Sequence, residues 1–247
     1  MTNTEKQHHI QLNKGDVGRY VLLPGDPGRV EVIAKHLDNA VHVATNREYV
    51  TYTGYLDGTK VSVTSTGIGC PSAAIALEEL VRVGADTFIR VGTSGAIQPG
   101  TKSGELAIIT GAIRDEGTSL HYMPPGFPAV ANFDIVDALR RAAAGKKYAY
   151  RVGITQSKDS FYGEVEPEHS GVTNRLLNRW KAWEIGGAIC SEMEASALFI
   201  VASMLNVRAG GIMAMWGDGE FKGLEPLIET SIEGVRLLIK GDQDGNS

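Results

Sequence analysis

Arg90 stands near the end of an otherwise apolar run, Thr87 to Val91, directly before Gly92-Thr93-Ser94-Gly95. Ligands of open α/β sheets gather beyond the carboxyl ends of strands. An arginine there, with the backbone N–H groups of a Gly-Thr-Ser-Gly turn, makes a pocket for an anion. The alternative is a strand-end arginine paired with Glu78 or Glu79, or turned to solvent. Pro24-Gly25-Asp26-Pro27-Gly28-Arg29-Val30 offers a second anion site. Gly25 lets backbone approach a ligand closely. Arg29 falls in a first helical turn, where the dipole disfavours a cation unless an anion is bound; otherwise it is a surface arginine beside an ordinary turn. Glu192 and Glu194 flank Met193 within the apolar stretch Ala188 to Ile200. Two carboxylates are costly there unless they hold something polar. In extended backbone they face one side together; at a helix start they would simply meet the dipole. Phe161 suits stacking on a flat base. Asp218 is an acid in a strand-end loop.

Positioning these groups takes strands that end together. Lys60 to Thr66 is β-branched and reads as a buried strand. Gly67 to Ser72 breaks it, Pro71 suits a first helical turn, and Ala73 to Val83 is amphipathic, ending at Gly84. With the strand from Thr87 this is a right-handed β-α-β crossover. Further strands are expected at Tyr20–Leu23, Val50–Leu56, Leu106–Gly111, Tyr150–Thr155 and Ala209–Met215, with Asp57-Gly58 as a hairpin turn. Helices are expected at Val30–Leu37, Asp134–Ala144, Asn174–Trp183 and Glu225–Lys240. Glu164 to Ser170 reads as an acidic loop. Ser119 to Ala129, stiffened by Pro124, Pro125 and Pro128, reads as a loop of the kind that covers sites. The fold class is α/β: a single domain over 1–247 with a central mixed, mostly parallel sheet flanked by helices. Residues 1–8 and 241–247 are expected to be flexible.

Hydrophobic residues make up 43% and charged residues 21%, which excludes a disordered chain. The net charge of −5 gives no general affinity for nucleic acid, so an anion needs a local cationic pocket. Cys70 and Cys190 have no metal-type spacing and read as buried thiols of a cytoplasmic protein. No apolar run is long enough to cross a membrane, and the start of the chain carries no apolar signal core. The histidines make no zinc pattern.

The motifs together resemble those of the nucleoside phosphorylases, in particular the uridine phosphorylase group. The matching pieces are Pro24-Gly25-Asp26-Pro27 with Arg29-Val30, Asn46-Arg47-Glu48-Tyr49, Ser65-Thr66-Gly67-Ile68-Gly69, Ile89 to Gln98, Ser119-Leu120-His121-Tyr122 with Phe127-Pro128-Ala129-Val130, and Glu192-Met193-Glu194. They span nearly the whole chain in order. The resemblance implies cleavage of a nucleoside by inorganic phosphate, the co-substrate, to a free base and ribose 1-phosphate, with no cofactor required. Gly25, Arg29, Arg90 and Thr93 would hold phosphate. Arg47, which lacks an obvious local partner beyond Glu48, would reach it from a neighbouring subunit. His9 would likewise reach the ribose of the neighbour, where Met193 and Glu194 bind. Phe161 and Glu192 would line the base pocket. The family implies a homodimer unit within a homohexamer, with a monovalent cation such as potassium at the dimer interface on Glu48, Ile68 and Ser72.

The departures lie in the base pocket. Uridine phosphorylases read uracil with a glutamine and an arginine shortly after the Phe-Tyr pair; here simple counting puts Val165 and Pro167 there, and no nearby residue restores the pair. After the last strand an Asn-Arg pair is replaced by Asp218-Gly219. Purine phosphorylases of this fold use an aspartate in that loop to protonate the base, and Asp218 would serve as that catalytic acid. Uridine follows from the overall resemblance, and a purine or modified base from Asp218. A non-catalytic binding homologue is a third reading. A nucleosidase using water is disfavoured by Arg29, Arg47 and Arg90. A dinucleotide-binding dehydrogenase is disfavoured by the missing third glycine after Gly67 and Gly69.

Overall fold

The computed structural model describes residues 6–222 and 224–245. The strands are β1 (Tyr20–Leu23), β2 (Asp38–Asn46), β3 (Tyr49–Leu56), β4 (Thr59–Thr64), β5 (Thr87–Ala96), β6 (Leu106–Asp115), β7 (Ala129–Val130), β8 (Tyr150–Lys158), β9 (Cys190–Glu192) and β10 (Arg208–Trp216). The helices are α1 (Pro27–Ala34), α2 (Cys70–Arg82), α3 (Phe133–Lys146), α4 (Tyr162–Val165), α5 (Thr173–Ile185), α6 (Ala195–Leu205) and α7 (Leu224–Gln243). The strands join one mixed sheet flanked by helices, so the α/β expectation holds.

The central strands read as unbroken apolar runs because both faces are covered. Val21, Leu23 and Phe88 pack with α2 and α6 on one face. Tyr20, Leu22, Ile89 and Val91 pack with α1, α3 and α7 on the other. By this alternation Arg90 shares the face of Phe88, toward α2 and α6.

Two features of β5 shape the site. It pairs with β10 along its length, from Thr87 to Gly95. On its other edge β1 pairs only up to Arg90, and β9 begins at Gly95. Residues 91 to 94 therefore have no strand partner on that edge. The strands β5, β10, β6, β8 and β9 also close on themselves as a ring.

Several expectations need correction. Gly92-Thr93-Ser94-Gly95 is not a turn but continues β5, because β10 supplies a ladder for it. The helix expected to stop at Gly145 ends instead on Lys147, in the left-handed conformation at φ 59°. β2 was not foreseen. The acidic segment after Phe161 forms α4 and a 3-10 turn at Pro167–His169. The proline-rich loop is drawn onto Arg114, which donates to the carbonyls of Ser119, Met123, Pro124 and Phe127. Asp57 and Gly58 both take positive φ, as a tight hairpin requires. α7 continues past Gly241 to Gln243, because Asp242 is held by Arg208 and Tyr20; residues 1–5 and 246–247 of the expected flexible ends lie outside the described residues. Among the described residues no helix is long and apolar enough to cross a membrane.

Candidate active site

Arg90 is 4% exposed at the bare edge of β5, where burial makes an unpaired charge untenable. Its Nε donates to Glu192 Oε2 at 2.7 Å, and its Nη2 meets Glu194 Oε2 at 2.5 Å. Both carboxylates come from the β9–α6 junction: Glu192 ends β9 and Glu194 caps α6. The extended and helix-start readings of this pair are thus each half right. Neither Glu78 nor Glu79 pairs with Arg90; Glu78 binds Arg82 and Tyr122, and Glu79 binds the His9 segment.

The two glutamates differ in what they leave free. Glu192 also accepts from the backbone N–H groups of Glu194 and Ala195, at 2.8 and 2.9 Å, and from the Ser157 hydroxyl. These bonds fix it against Arg90, and it also lines the cavity. Glu194 Oε1 accepts from the Gly69 N–H at 2.6 Å. It thereby ties the Gly67-Ile68-Gly69 loop to Arg90. Burial opposes charge on Arg90, but Glu194 and Glu192 override it and hold the guanidinium above its ordinary value. Two carboxylates share that one cation, so burial together with Glu192 outweighs Arg90 and raises the Glu194 carboxyl.

These groups open onto a cavity of about 860 Å³. Gly25, Arg29, Arg90 and Thr93 line one part of it, and Glu192, Met193 and Glu194 the floor beside them. Arg29 makes no ion pair or side-chain hydrogen bond among the described residues. Burial, with the charge of Arg90, lowers its pKa against the pull of Asp26. Gly25 sits in close approach: a Cβ there would lie 3.2 Å from the Gly67 carbonyl oxygen, a tight contact. The gap in the ladder at residues 91 to 94 forms the adjoining wall. Two arginines, one of them without an ion pair among the described residues, suit an anionic ligand.

Phe161 also lines the cavity and is 54% exposed. Glu48 and Ile68 line its mouth, with Ser72 donating to Glu48 Oε1 at 2.7 Å. The Glu48 carboxyl is lowered by its own backbone N–H and the Ser72 hydroxyl. Among the described residues no group of three or more His, Cys, Asp or Glu could hold a metal ion.

Four predicted residues lie outside the cavity lining: Ser72, behind Glu48, and Asp218, Arg47 and His9. Asp218 is exposed, its carboxylate 3.6 Å from Lys102 Nζ and its backbone paired with Thr101 and Ser103. Arg47 is exposed at φ 54°, with no side-chain partner among the described residues. His9 is held by Glu79, its Nδ1 2.7 Å from Oε1. Asn46, next to Arg47, donates to the His9 carbonyl at 2.7 Å. His9 and Arg47 are therefore fixed to one surface patch.

Residues that sequence reasoning passed over also line the cavity. Trp216 stacks on Phe221 at 4.2 Å. Buried Lys158 and half-buried Glu164 form an ion pair at 2.7 Å beside Val165. Pro167 lines an adjoining cavity of about 610 Å³ under α5, which shares Lys158 and Glu164 with the first.

Glu79 supplies a prediction. It is 5% exposed and accepts from the N–H groups of His9 and Ile10, each at 2.9 Å, besides the His9 ring. Glu79→Ala is expected to orphan these donors and cost about 1–3 kcal/mol of stability; urea unfolding checks it. Burial would raise this carboxyl, but the N–H of Ile10 and the His9 groups prevail and lower it. Its contribution is therefore present above the ordinary carboxylate pKa and is lost as pH falls through the depressed value.

The model of the phosphorylase superfamily matches residues 19–231. A uridine phosphorylase of Treponema pallidum is 46% identical, over 97% of this chain and 97% of its own. A uridine phosphorylase of Thermococcus kodakarensis is 43% identical, over 98% and 90%. A guanosine phosphorylase of Halorubrum lacusprofundi is 40% identical, over 89% and 88%.

Proposed function

The chain belongs to the phosphorylase superfamily, and we propose that it is a nucleoside phosphorylase, a pentosyltransferase that cleaves uridine with inorganic phosphate to uracil and ribose 1-phosphate. The observation that supports it most is the placement of buried Arg90 and of Arg29, which makes no ion pair among the described residues, at one wall of the cavity. Hydrolysis by water needs no such wall.

Phosphate binds Arg29, Arg90, Thr93 and the backbone at Gly25. Met193 and Glu194 hold the ribose; each Glu194 oxygen keeps a lone pair for a hydroxyl after its bonds to Arg90 and Gly69. The base lies against Phe161. As the C1′–N bond lengthens, its electron pair leaves with the base and positive charge grows on the sugar. The phosphate dianion stabilises that charge and then forms the C1′–O bond. The departing base takes up a proton from solvent.

Arg47 and His9 serve the site of a second subunit, which accords with their shared surface patch and their separation from their own cavity. The assembly is a homodimer unit within a hexamer. A potassium ion would suit Glu48, the Ile68 carbonyl and Ser72 at that interface: one carboxylate with neutral oxygens fits a singly charged hard cation. The enzyme works in cytoplasmic nucleoside salvage. Guanosine is the second nucleoside to consider, since one relative is named for it.

The test is release of free base from uridine and guanosine with and without phosphate. Cleavage that requires phosphate is expected; equal cleavage in its absence would make the protein a hydrolase and remove the proposed role of Arg29 and Arg90.

A further inference from the structure

Five residues beyond Arg90, on the order of 16 Å along an extended strand, β5 reaches Gly95, which faces Glu164. A Cβ on Gly95 would lie 3.4 Å from Glu164 Oε1. The other oxygen, Oε2, pairs with Lys158 Nζ at 2.7 Å. Lys158 also donates to Ser191 Oγ at 2.6 Å. The side chains of Lys158 and Glu164 are 9% and 14% exposed, and both line the cavity.

Counting bonds shows what this pair leaves unused. An ammonium has three donors; two of Lys158's are directed, at Glu164 and Ser191. Glu164 Oε2 is occupied, while Oε1 accepts no hydrogen bond among the described residues. One donor and one acceptor therefore stand side by side in the cavity wall. Their complement is a ligand edge with an acceptor beside a donor.

We propose that Lys158 and Glu164 read the base and select a lactam edge, a carbonyl oxygen next to a ring N–H. Lys158 donates to the carbonyl oxygen and Glu164 Oε1 accepts from the N–H. Uracil and the 6-oxopurines present this edge. Cytosine and adenine present an amino group beside a bare ring nitrogen, so both protein groups would meet their like. The pair takes the place of the amide and arginine that Val165 and Pro167 cannot supply. This rests on the phosphorylase reading only for the presence of a nucleoside in the cavity.

The experiment measures kcat/KM at saturating phosphate, and dissociation constants without phosphate, for uridine, guanosine, cytidine and adenosine. The wild-type protein is expected to favour uridine over cytidine, and guanosine over adenosine, by at least about 100-fold, since a site built to hydrogen-bond one edge strongly rejects its mismatch. Glu164→Gln replaces one oxygen by an amide that donates, and is expected to shrink the uridine-to-cytidine ratio at least about tenfold. Lys158→Met should weaken both lactam nucleosides by a similar factor. Affinity for inorganic phosphate alone, measured by calorimetry, should stay within about twofold, because Arg29 and Arg90 are untouched. A wild-type preference for cytidine or adenosine overturns the proposal, whether or not either variant folds. So does an unchanged ratio in folded Glu164→Gln. Absence of all turnover would instead remove the phosphorylase reading, and the dissociation constants would still decide whether the pair reads the lactam edge.

Discussion

Arg90→Met is expected to lower phosphate-dependent kcat/KM by at least about 10³-fold, since it removes a preorganised charge from a water-poor site. It should also lower stability by about 3–5 kcal/mol, because Glu192 and Glu194 would be left buried without their shared cation. The two effects can be separated. Adding Glu192→Gln to Arg90→Met relieves part of the buried negative charge, so stability should partly return while activity does not. Steady-state kinetics and urea unfolding of the three proteins give both readings. Activity within tenfold of wild type in Arg90→Met would remove Arg90 from the site. Stability unchanged in that variant would mean that the carboxylates had found other partners.

The second large effect concerns completeness of the site within one chain. Glu194→Ala and Arg47→Ala are each expected to reduce kcat/KM by about 10²–10³-fold. Their structural situations are opposite. Glu194 is buried and bonded to both Arg90 and Gly69. Arg47 is exposed and has no partner among the described residues. If Arg47 acts on a neighbour's cavity, a mixed dimer of the two variants contains one intact site and one doubly damaged site. Random mixing in equal amounts should then restore about a quarter of wild-type activity. Mass spectrometry of the mixture shows whether subunits have exchanged. Exchange without any recovery would place Arg47 outside the shared site.

What the sequence could tell followed physical legibility. Arg90 announced itself as a charge among Phe88, Ile89 and Val91, and nothing but a site or an ion pair explains that; it proved to have the ion pairs, at the cavity. Glu192 and Glu194 were legible for the same reason. Their division of labour was not, because it depends on Ser157 and Gly69, far away in the chain. β1 and β4 were visible as short apolar or β-branched runs. β2 was not, since it lies mostly exposed at the sheet edge and its sequence lacks an apolar face. Gly92-Thr93-Ser94-Gly95 has turn composition, yet β10 overrides it with a ladder. Asp218 was legible as an acid following a strand; its backbone pairing with Thr101 and Ser103 was invisible in local composition. Lys158 and Glu164 resembled ordinary loop charges, because their burial comes from Ser191 and the fold around it.

The closed ring of strands has a bearing on how the molecule assembles. Cavity residues come from Gly25 near the start to Trp216 near the end. β5 obtains its partner along one edge only when β10, more than a hundred residues later, is in place. Such distant pairings are entropically late events in folding. The catalytic cleft is therefore among the last parts of the chain to become organised, and a nascent polypeptide that has not yet released β10 leaves that edge of β5 without its ladder. Competence for chemistry in this architecture therefore reports that the distant strands have met.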